Sequence, residues 1–286
     1  MKKTILAGAT FALAILATGL VAAAPVQADE WSKTYQISGK ANLQVTTGDG
    51  DVTITSADQK QINARITTQG YKIGPGGVQV VESQNGDNVS IELKFPHMNW
   101  FGWSRHSLHV DLVVPRALDT DIHTGDGNVT AKFLTGNLRF NTGDGNVTTD
   151  GLHGTIQMQS GDGNILGTDF DGSLDARTGD GNISARGRFD SLNVKSGDGN
   201  VDAEAASGSK VNSWSVASGD GHITLRVPSD LHANLDAKTG DGEITVDVPL
   251  TVSGSLSRSA VHGTLNGGGG ELSLRSGDGS IHIERI

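Results

Sequence analysis

Apolar residues in this chain alternate with polar ones in short runs, and the runs are separated by glycine-rich corners at a fixed distance. The corner is Gly-Asp-Gly, always preceded by Ser or Thr, and it occurs nine times, with its Asp at 49, 126, 144, 162, 180, 198, 220, 241 and 278. From Asp126 to Asp198 the spacing is a strict 18 residues. With the Ser/Thr as position zero, position +5 is always β-branched and apolar: Val52, Val129, Val147, Ile165, Ile183, Val201, Ile223, Ile244 and Ile281. Position +7 is mostly small or apolar. Positions −4 and −2 are mostly apolar too, as in Leu138/Phe140, Ile156/Met158, Leu192/Val194 and Leu272/Leu274. Period-two alternation on both sides of a turn signal predicts two short strands per repeat.

A fixed period of this length identifies a repeat architecture. One strand after the corner and one before the next make a coil, and stacked coils bury a continuous core. The predicted fold is therefore all-β, a parallel β-helix or β-solenoid with about 18 residues and two short strands per coil. Successive coils would lie about 4.8 Å apart, so about ten coils give a rod roughly 50 Å long. A six-residue β-helix period fails, because from Val129 it lands on Thr135 and Asn141. A propeller blade needs about 40 residues. An antiparallel meander is the remaining rival, disfavoured because identical corners recur once per coil rather than at every turn.

The ends are less regular. Residues 29–123 hold one clear corner, Thr47–Gly50, and strand-like runs at Gln61–Thr68, Val78–Glu82, Val89–Leu93 and Leu108–Val114, with a hairpin signal at Asn85-Gly86. This part is expected to form degenerate coils and a cap over the open end, with the regular solenoid at 124–286. Near the C-terminus, Asn266–Gly270 reads as a degenerate corner in place of Gly-Asp-Gly.

Composition adds compartment and limits partners. Met-Lys-Lys, an apolar run from Ile5 to about Ala24 and the small-x-small triplet Val26-Gln27-Ala28 predict a signal peptide, 1–28. A membrane anchor is the alternative reading of the same run. The expectation is export, to the periplasm or cell surface, with no integral membrane segment after cleavage. Cysteine is absent. The formal charge is −10, and losing Lys2 and Lys3 makes it −12, which argues against nucleic acid as a partner.

The stacked Asp residues have three readings. As a corner device, each carboxylate would accept nearby backbone N–H groups. As a row of cation sites, Asp126, Asp144, Asp162, Asp180 and Asp198 are weak metal candidates. The calcium-binding nonapeptide roll would place its Asp at Gly127, one residue out of register. As catalytic carboxylates they lack the two unlike environments that acid/base chemistry needs. No catalytic or cofactor-binding residue is assigned, and no cofactor is expected, with calcium left as a possibility. Asn128, Asn146, Asn164, Asn182 and Asn200 would form a second ladder of stacked amides. The aromatic-rich stretch 95–106 reads first as a loop over the solenoid end with Trp100, Phe101 and Trp103 as its plug, and its contact candidates are Trp100, Phe101, Trp103 and Arg105.

These motifs resemble the bacterial putative-adhesin family, an exported β-strand-repeat domain of unknown function. The resemblance rests on three features. They are Val113-Val114-Pro115 leading into Thr124-Gly125-Asp126-Gly127-Asn128-Val129, the recurring Ser/Thr-Gly-Asp-Gly-x-Ile/Val, and the ending Gly263 to Ile281. It implies an exported β-helical protein with no catalytic residues to carry over. The expected role is adhesion or cell-envelope structure, with a cell-surface glycan or protein as partner and self-association open. A polysaccharide-active β-helix enzyme and a calcium-binding β-roll are the alternatives.

Overall fold

The computed structural model describes residues 28–70, 72–95, 107–253 and 257–286. The signal-peptide expectation therefore lies outside the described residues except for Ala28, and Trp100, Phe101, Trp103 and Arg105 lie outside them altogether. The described residues form 23 strands and no helix, an all-β, solenoid-like stack. Parallel pairing joins residues one repeat apart, for example Leu138 with Ile156 and Val147 with Ile165.

Two ladders of strands run along the stack. The first contains the strands before the corners. In spatial order these are Asn88–Lys94, Ala41–Thr46, Leu118–Thr124, Thr135–Thr142, His153–Gln159, the second halves of Ile165–Thr178 and Ile183–Ser196, Ser213–Ser218, Gly270–Ser276 and Ala233–Thr239. The second contains the strands after the corners. These are Ser107–Pro115, Asp51–Ala57, Val129–Lys132, Val147–Asp150, the first halves of the two long strands, Val201–Ala205, Ile223–Val227, Ile281–Arg285 and Ile244–Asp247. Because Ile165–Thr178 and Ile183–Ser196 run through the second corner, the ladders join into one sheet.

The core lies between the ladders. Each +5 residue is at most 1% exposed except Ile244, which is half-buried in the last coil. The −4 and −2 residues face it from the other ladder, with Phe140 and Trp214 the largest. A third set of apolar residues plugs the second corner: Leu134, Leu152 and Phe170, each at most 2% exposed and one repeat apart. Phe170 reaches so far in that a Cβ at Gly167 would collide with its ring, which accounts for glycine at this +7 position. Phe170, Phe189 and Trp214 then continue as a line of rings with centroids 6.1 Å apart, a spacing favourable to aromatic pairs.

Spatial order departs from chain order at both ends. The coil Ala41–Ala57 lies between the coil of Asn88–Lys94 and Ser107–Pro115 and the coil that starts at Leu118. The C-terminal coil, Gly270–Arg285, lies between Ser213–Val227 and Ala233–Asp247. Ala41–Ala57 and Gly270–Arg285 thus gain a neighbour on each side. In a stack whose stability is a sum of nearest-neighbour interfaces, that protects them from fraying.

Antiparallel strands finish both ends. Gln61–Gln69 pairs with Ser107–Pro115 and Ala28–Gln36 with Gln61–Gln69. The Asn85-Gly86 hairpin joins Gln79–Asn85 to Asn88–Lys94, with Gly86 at φ 61°. Lys33 and the phenol of Tyr35 both reach Glu82, at 2.5 and 3.3 Å, tying the two outermost strands together. Burial, and then the Glu82 carboxylate, push the Tyr35 phenol well above its ordinary pKa. At the far end, Ala260–Leu265 pairs antiparallel with Ala233–Thr239. Asn266–Gly270 is consequently not a coil corner, which corrects the sequence expectation. Asn266, Gly267 and Gly268 take positive φ and carry the chain across the start of Ala233–Thr239 to the strand on its other side.

The second-corner plug carries a direct expectation. Leu152→Ala should destabilise the fold by about 2–5 kcal/mol in urea titration. Leu166→Ala, at a residue 47% exposed, should stay within about 0.5 kcal/mol. Equal effects would show that the plug does not contribute as described.

Candidate functional site

The nine corners stack without interruption from Asp49 to Asp241, with Asp278 second to last. The first glycine of each corner after Gly48 donates its N–H to the carbonyl of the first glycine one coil back. The distance is 2.5 Å from Gly143 to Gly125, 2.6 Å from Gly179 to Gly161 and 2.7 Å from Gly240 to Gly277. None of the eighteen corner glycines has positive φ. What excludes a side chain is the approach of the neighbouring coil: a Cβ at Gly143 would lie 2.7 Å from Gly125 O. At Gly145 and its equivalents from Gly127 onward, a Cβ would run into the preceding coil's glycine carbonyl, and at Gly50 into the Leu108 side chain. At these corners glycine is a requirement for contact, not for a special backbone angle.

The residue before each corner explains itself by hydrogen bonding. The Ser160 hydroxyl donates to Gly145 O of the preceding coil at 2.8 Å and accepts the N–H of its own Gly163 at 3.0 Å. Thr142, Ser196, Ser218 and Thr239 repeat both bonds. These side chains are buried, so each hydroxyl satisfies two backbone groups that no water reaches. Thr47 begins the row, and its Oγ1 has no partner among the described residues.

The asparagine ladder forms as the sequence implies and runs further. Asn128 Oδ1 accepts the N–H of Asn146 at 2.9 Å and its amide Nδ2 at 3.2 Å. Asn146 and Asn164 accept the same pair from the next coil, and Asn182 accepts the Asn200 N–H. Asp51 extends the ladder at one end, and His222, Ser280 and the Glu243 N–H at the other. Their position, +4 in every repeat, was the signal that could have found them.

The Asp row differs from both. All nine carboxylates are exposed, and none accepts a hydrogen bond or joins an ion pair among the described residues. The expectation that they accept corner N–H groups is therefore corrected: the Ser/Thr hydroxyl occupies that role from the inside of the turn. Asp126, Asp144, Asp162, Asp180 and Asp198 lie side by side along one edge. Among the described residues no group of three or more His, Asp or Glu is placed to hold a metal ion.

A shallow trough of about 330 Å³ opens instead on the outer face of the first ladder. It is lined by Asn42, Asp119, Asp121, Asn137, Arg139 and Gln157, among others. Asp119 accepts from Lys40 Nζ at 2.7 Å and from the Asn137 N–H at 2.8 Å. The Lys40 hydrogen bond, assisted by Asn137, holds its carboxyl below the ordinary Asp value against the opposing effect of burial. Its contribution to stability is complete above the unfolded-state pKa and is lost as pH falls through the depressed one. Arg139 donates from Nε to Gln157 at 2.9 Å and lies 3.5 Å from Asp121. Sequence reasoning followed the apolar −4 and −2 positions and passed over the polar −3 position between them, where Asp121, Arg139, Gln157, Asp175 and Asn193 recur one repeat apart.

Residues 40–284 match the family model described as Toastrack DUF4097, and the chain belongs to that family. Among solved structures it is similar to a "putative lipid binding protein" from Parabacteroides distasonis ATCC 8503, at 16% identity and TM-score 0.48, covering 89% of this chain and 96% of that one. It is also similar to a "putative adhesin" from Bacteroides fragilis NCTC 9343, at 12% identity and TM-score 0.44 with the same coverages. A "putative cell adhesion protein" from Clostridium sporogenes ATCC 15579 aligns at 14% identity and TM-score 0.30, covering 91% and 100%. No curated protein matches.

The contrast between hydroxyls and carboxylates sets a paired test. Ser196→Ala leaves Gly181 O and the Gly199 N–H buried and unpaired, and should cost about 1–3 kcal/mol. Replacing Asp126, Asp162 and Asp198 together by Asn removes like charges about 5 Å from their neighbours, each pair repelling by about 1 kcal/mol in water. The triple variant should melt higher than the parent, with the gain shrinking as salt is added. A triple variant that melts lower would return the carboxylates to a corner-holding role.

Proposed function

We propose that this protein is an exported, non-enzymatic binding scaffold of adhesin type, built on a coil of about 18 residues, that displays its polar outer face to a cell-surface glycan or protein. The observation that carries the reading is the trough on the first ladder. Its amides, carboxylates and guanidinium recur at repeat spacing, so they present an extended array of donors and acceptors rather than one reactive centre. Such arrays suit hydroxyl-rich ligands, whose many weak contacts add along a rigid surface. The uniform, solvent-exposed Asp row supports the same choice over the polysaccharide-active alternative, because it offers no pair of carboxyls in unlike surroundings. The names of the similar structures, putative adhesion and lipid-binding proteins, agree with a binding role. The signal-peptide pattern at 1–28 supports export to the periplasm or cell surface.

A glycan array probed with the full chain, alongside binding to whole cells, tests this. Arg139→Ala and Gln157→Ala should each weaken binding about tenfold, which corresponds to about 1.4 kcal/mol, with melting temperature unchanged. Absence of any ligand on arrays and cells would remove the adhesion reading. Polysaccharide turnover abolished by one Asp→Asn change would replace it with the enzymatic one.

A further inference from the structure

The C-terminal coil occupies a position that its neighbour in the chain is equally equipped to fill. Ser276 Oγ donates to Gly221 O at 3.0 Å, and the Gly277 N–H donates to Gly219 O at 2.7 Å. On the other side of this coil, Thr239 Oγ1 donates to Gly279 O at 2.7 Å and the Gly240 N–H to Gly277 O at 2.7 Å. The two coils offer the same donors to the same kind of acceptors. Their inward residues match as well: Leu272, Leu274, Ile281 and Ile283 in one, Leu235, Ala237, Ile244 and Val246 in the other. Removing the C-terminal coil would therefore leave Gly219 and Gly221 facing a corner, Thr239–Gly242, that can complete them.

The connections allow both arrangements. Elsewhere two residues suffice to join neighbouring coils, 133–134 after Lys132 and 151–152 after Asp150. Residues 228–232 are five and now bridge coils two steps apart, so they can also bridge one step. Residues 233–247 precede 270–286 in the chain and need no long crossover to reach the stack, which gives them the smaller loop-closure cost. The crossover at Asn266–Gly269 is held by specific bonds: Asn266 Nδ2 to the carbonyls of Ser229 and Leu231 at 2.9 and 2.8 Å, and Asn234 Nδ2 to Gly269 O at 2.6 Å. The Ile286 N–H then closes onto Val227 O at 3.1 Å.

We infer that the C-terminal coil is an insertable wedge. The coil Ala233–Asp247 first stacks directly on Ser213–Val227, and Gly270–Arg285 then enters between them and displaces it by one step. The fold thus contains two stackings of the same corners, and the last segment of the chain selects the final one.

The chain has no cysteine, so engineered pairs report on this cleanly. Ala217 and Lys238 both pair with Arg275, from opposite sides. In the final stack they are two steps apart, about 9.6 Å, beyond the roughly 7 Å limit for a disulfide. With the wedge out they would be direct neighbours. The full chain carrying Ala217→Cys and Lys238→Cys is refolded from urea and oxidised after increasing delays. Ser215→Cys with Ser273→Cys reports the final pairing. Ser215→Cys with Lys238→Cys closes a loop of similar length but is out of register in both stackings. The early disulfide in the first pair should exceed the out-of-register control at least tenfold, then fall to that control while the Ser215/Ser273 pair rises. If the first pair never exceeds the control, or the Ser215/Ser273 pair forms as early, the C-terminal coil is not inserted last and the inference is overturned.

Discussion

Successive corners of this protein must sit one strand spacing apart, and the backbone hydrogen bond between their first glycines enforces that. The corner can be so close only because neither glycine carries a side chain. A Cβ at Gly143 would lie 2.7 Å from Gly125 O, nearer than packed atoms tolerate. Once the corners are this close, no water reaches the inside of the turn. The remaining backbone groups then need a partner supplied by the chain itself, and the buried Ser/Thr hydroxyl is that partner. The sequence rule Ser/Thr-Gly-Asp-Gly follows from this one contact, except for its Asp, whose carboxylate faces solvent and has no partner among the described residues.

The same constraint shapes the ends. A stack of identical corners has no intrinsic stopping point, and an open strand edge invites further pairing. Here the run of corners stops where the coil of Asn88–Lys94 and Ser107–Pro115 lacks the motif, and antiparallel strands cover it. At the opposite end, Ala260–Leu265 reverses direction against Ala233–Thr239. Placing Ala41–Ala57 and Gly270–Arg285 one step inside the stack gives each a second interface, and the interchangeability of their corners makes that placement geometrically available.

The coil, its two strands, the inward +5, −4 and −2 residues and the asparagine ladder were all legible in the sequence, because each repeats at the period of the backbone. The order of coils was not. Thr239–Ile244 and Ser276–Ile281 carry the same signals, so nothing local distinguishes which of them stacks on Ser218. Asn266–Gly270 misled for a related reason: its glycines resemble a corner, yet their positive φ serves a crossover. The Asp row misled at the corner itself: its carboxylates read as acceptors of corner N–H groups, but the Ser/Thr hydroxyl on the inside of the turn fills that role. The trough around Arg139 was overlooked because its residues vary in type from coil to coil and only their polarity repeats.

The stack carries the polar −3 residues on one face and the exposed corner carboxylates along one edge. Both depend on the corner stack holding as a cooperative unit rather than as a series of surface loops. Amide hydrogen exchange at the corner glycines measures this most directly. The N–H groups of Gly143, Gly145, Gly161, Gly163, Gly179, Gly197 and Gly199 should be protected to within about 1–2 kcal/mol of global unfolding, as core strands are. Exchange of these amides at the rate of exposed turns, with the flanking strands still protected, would contradict the account.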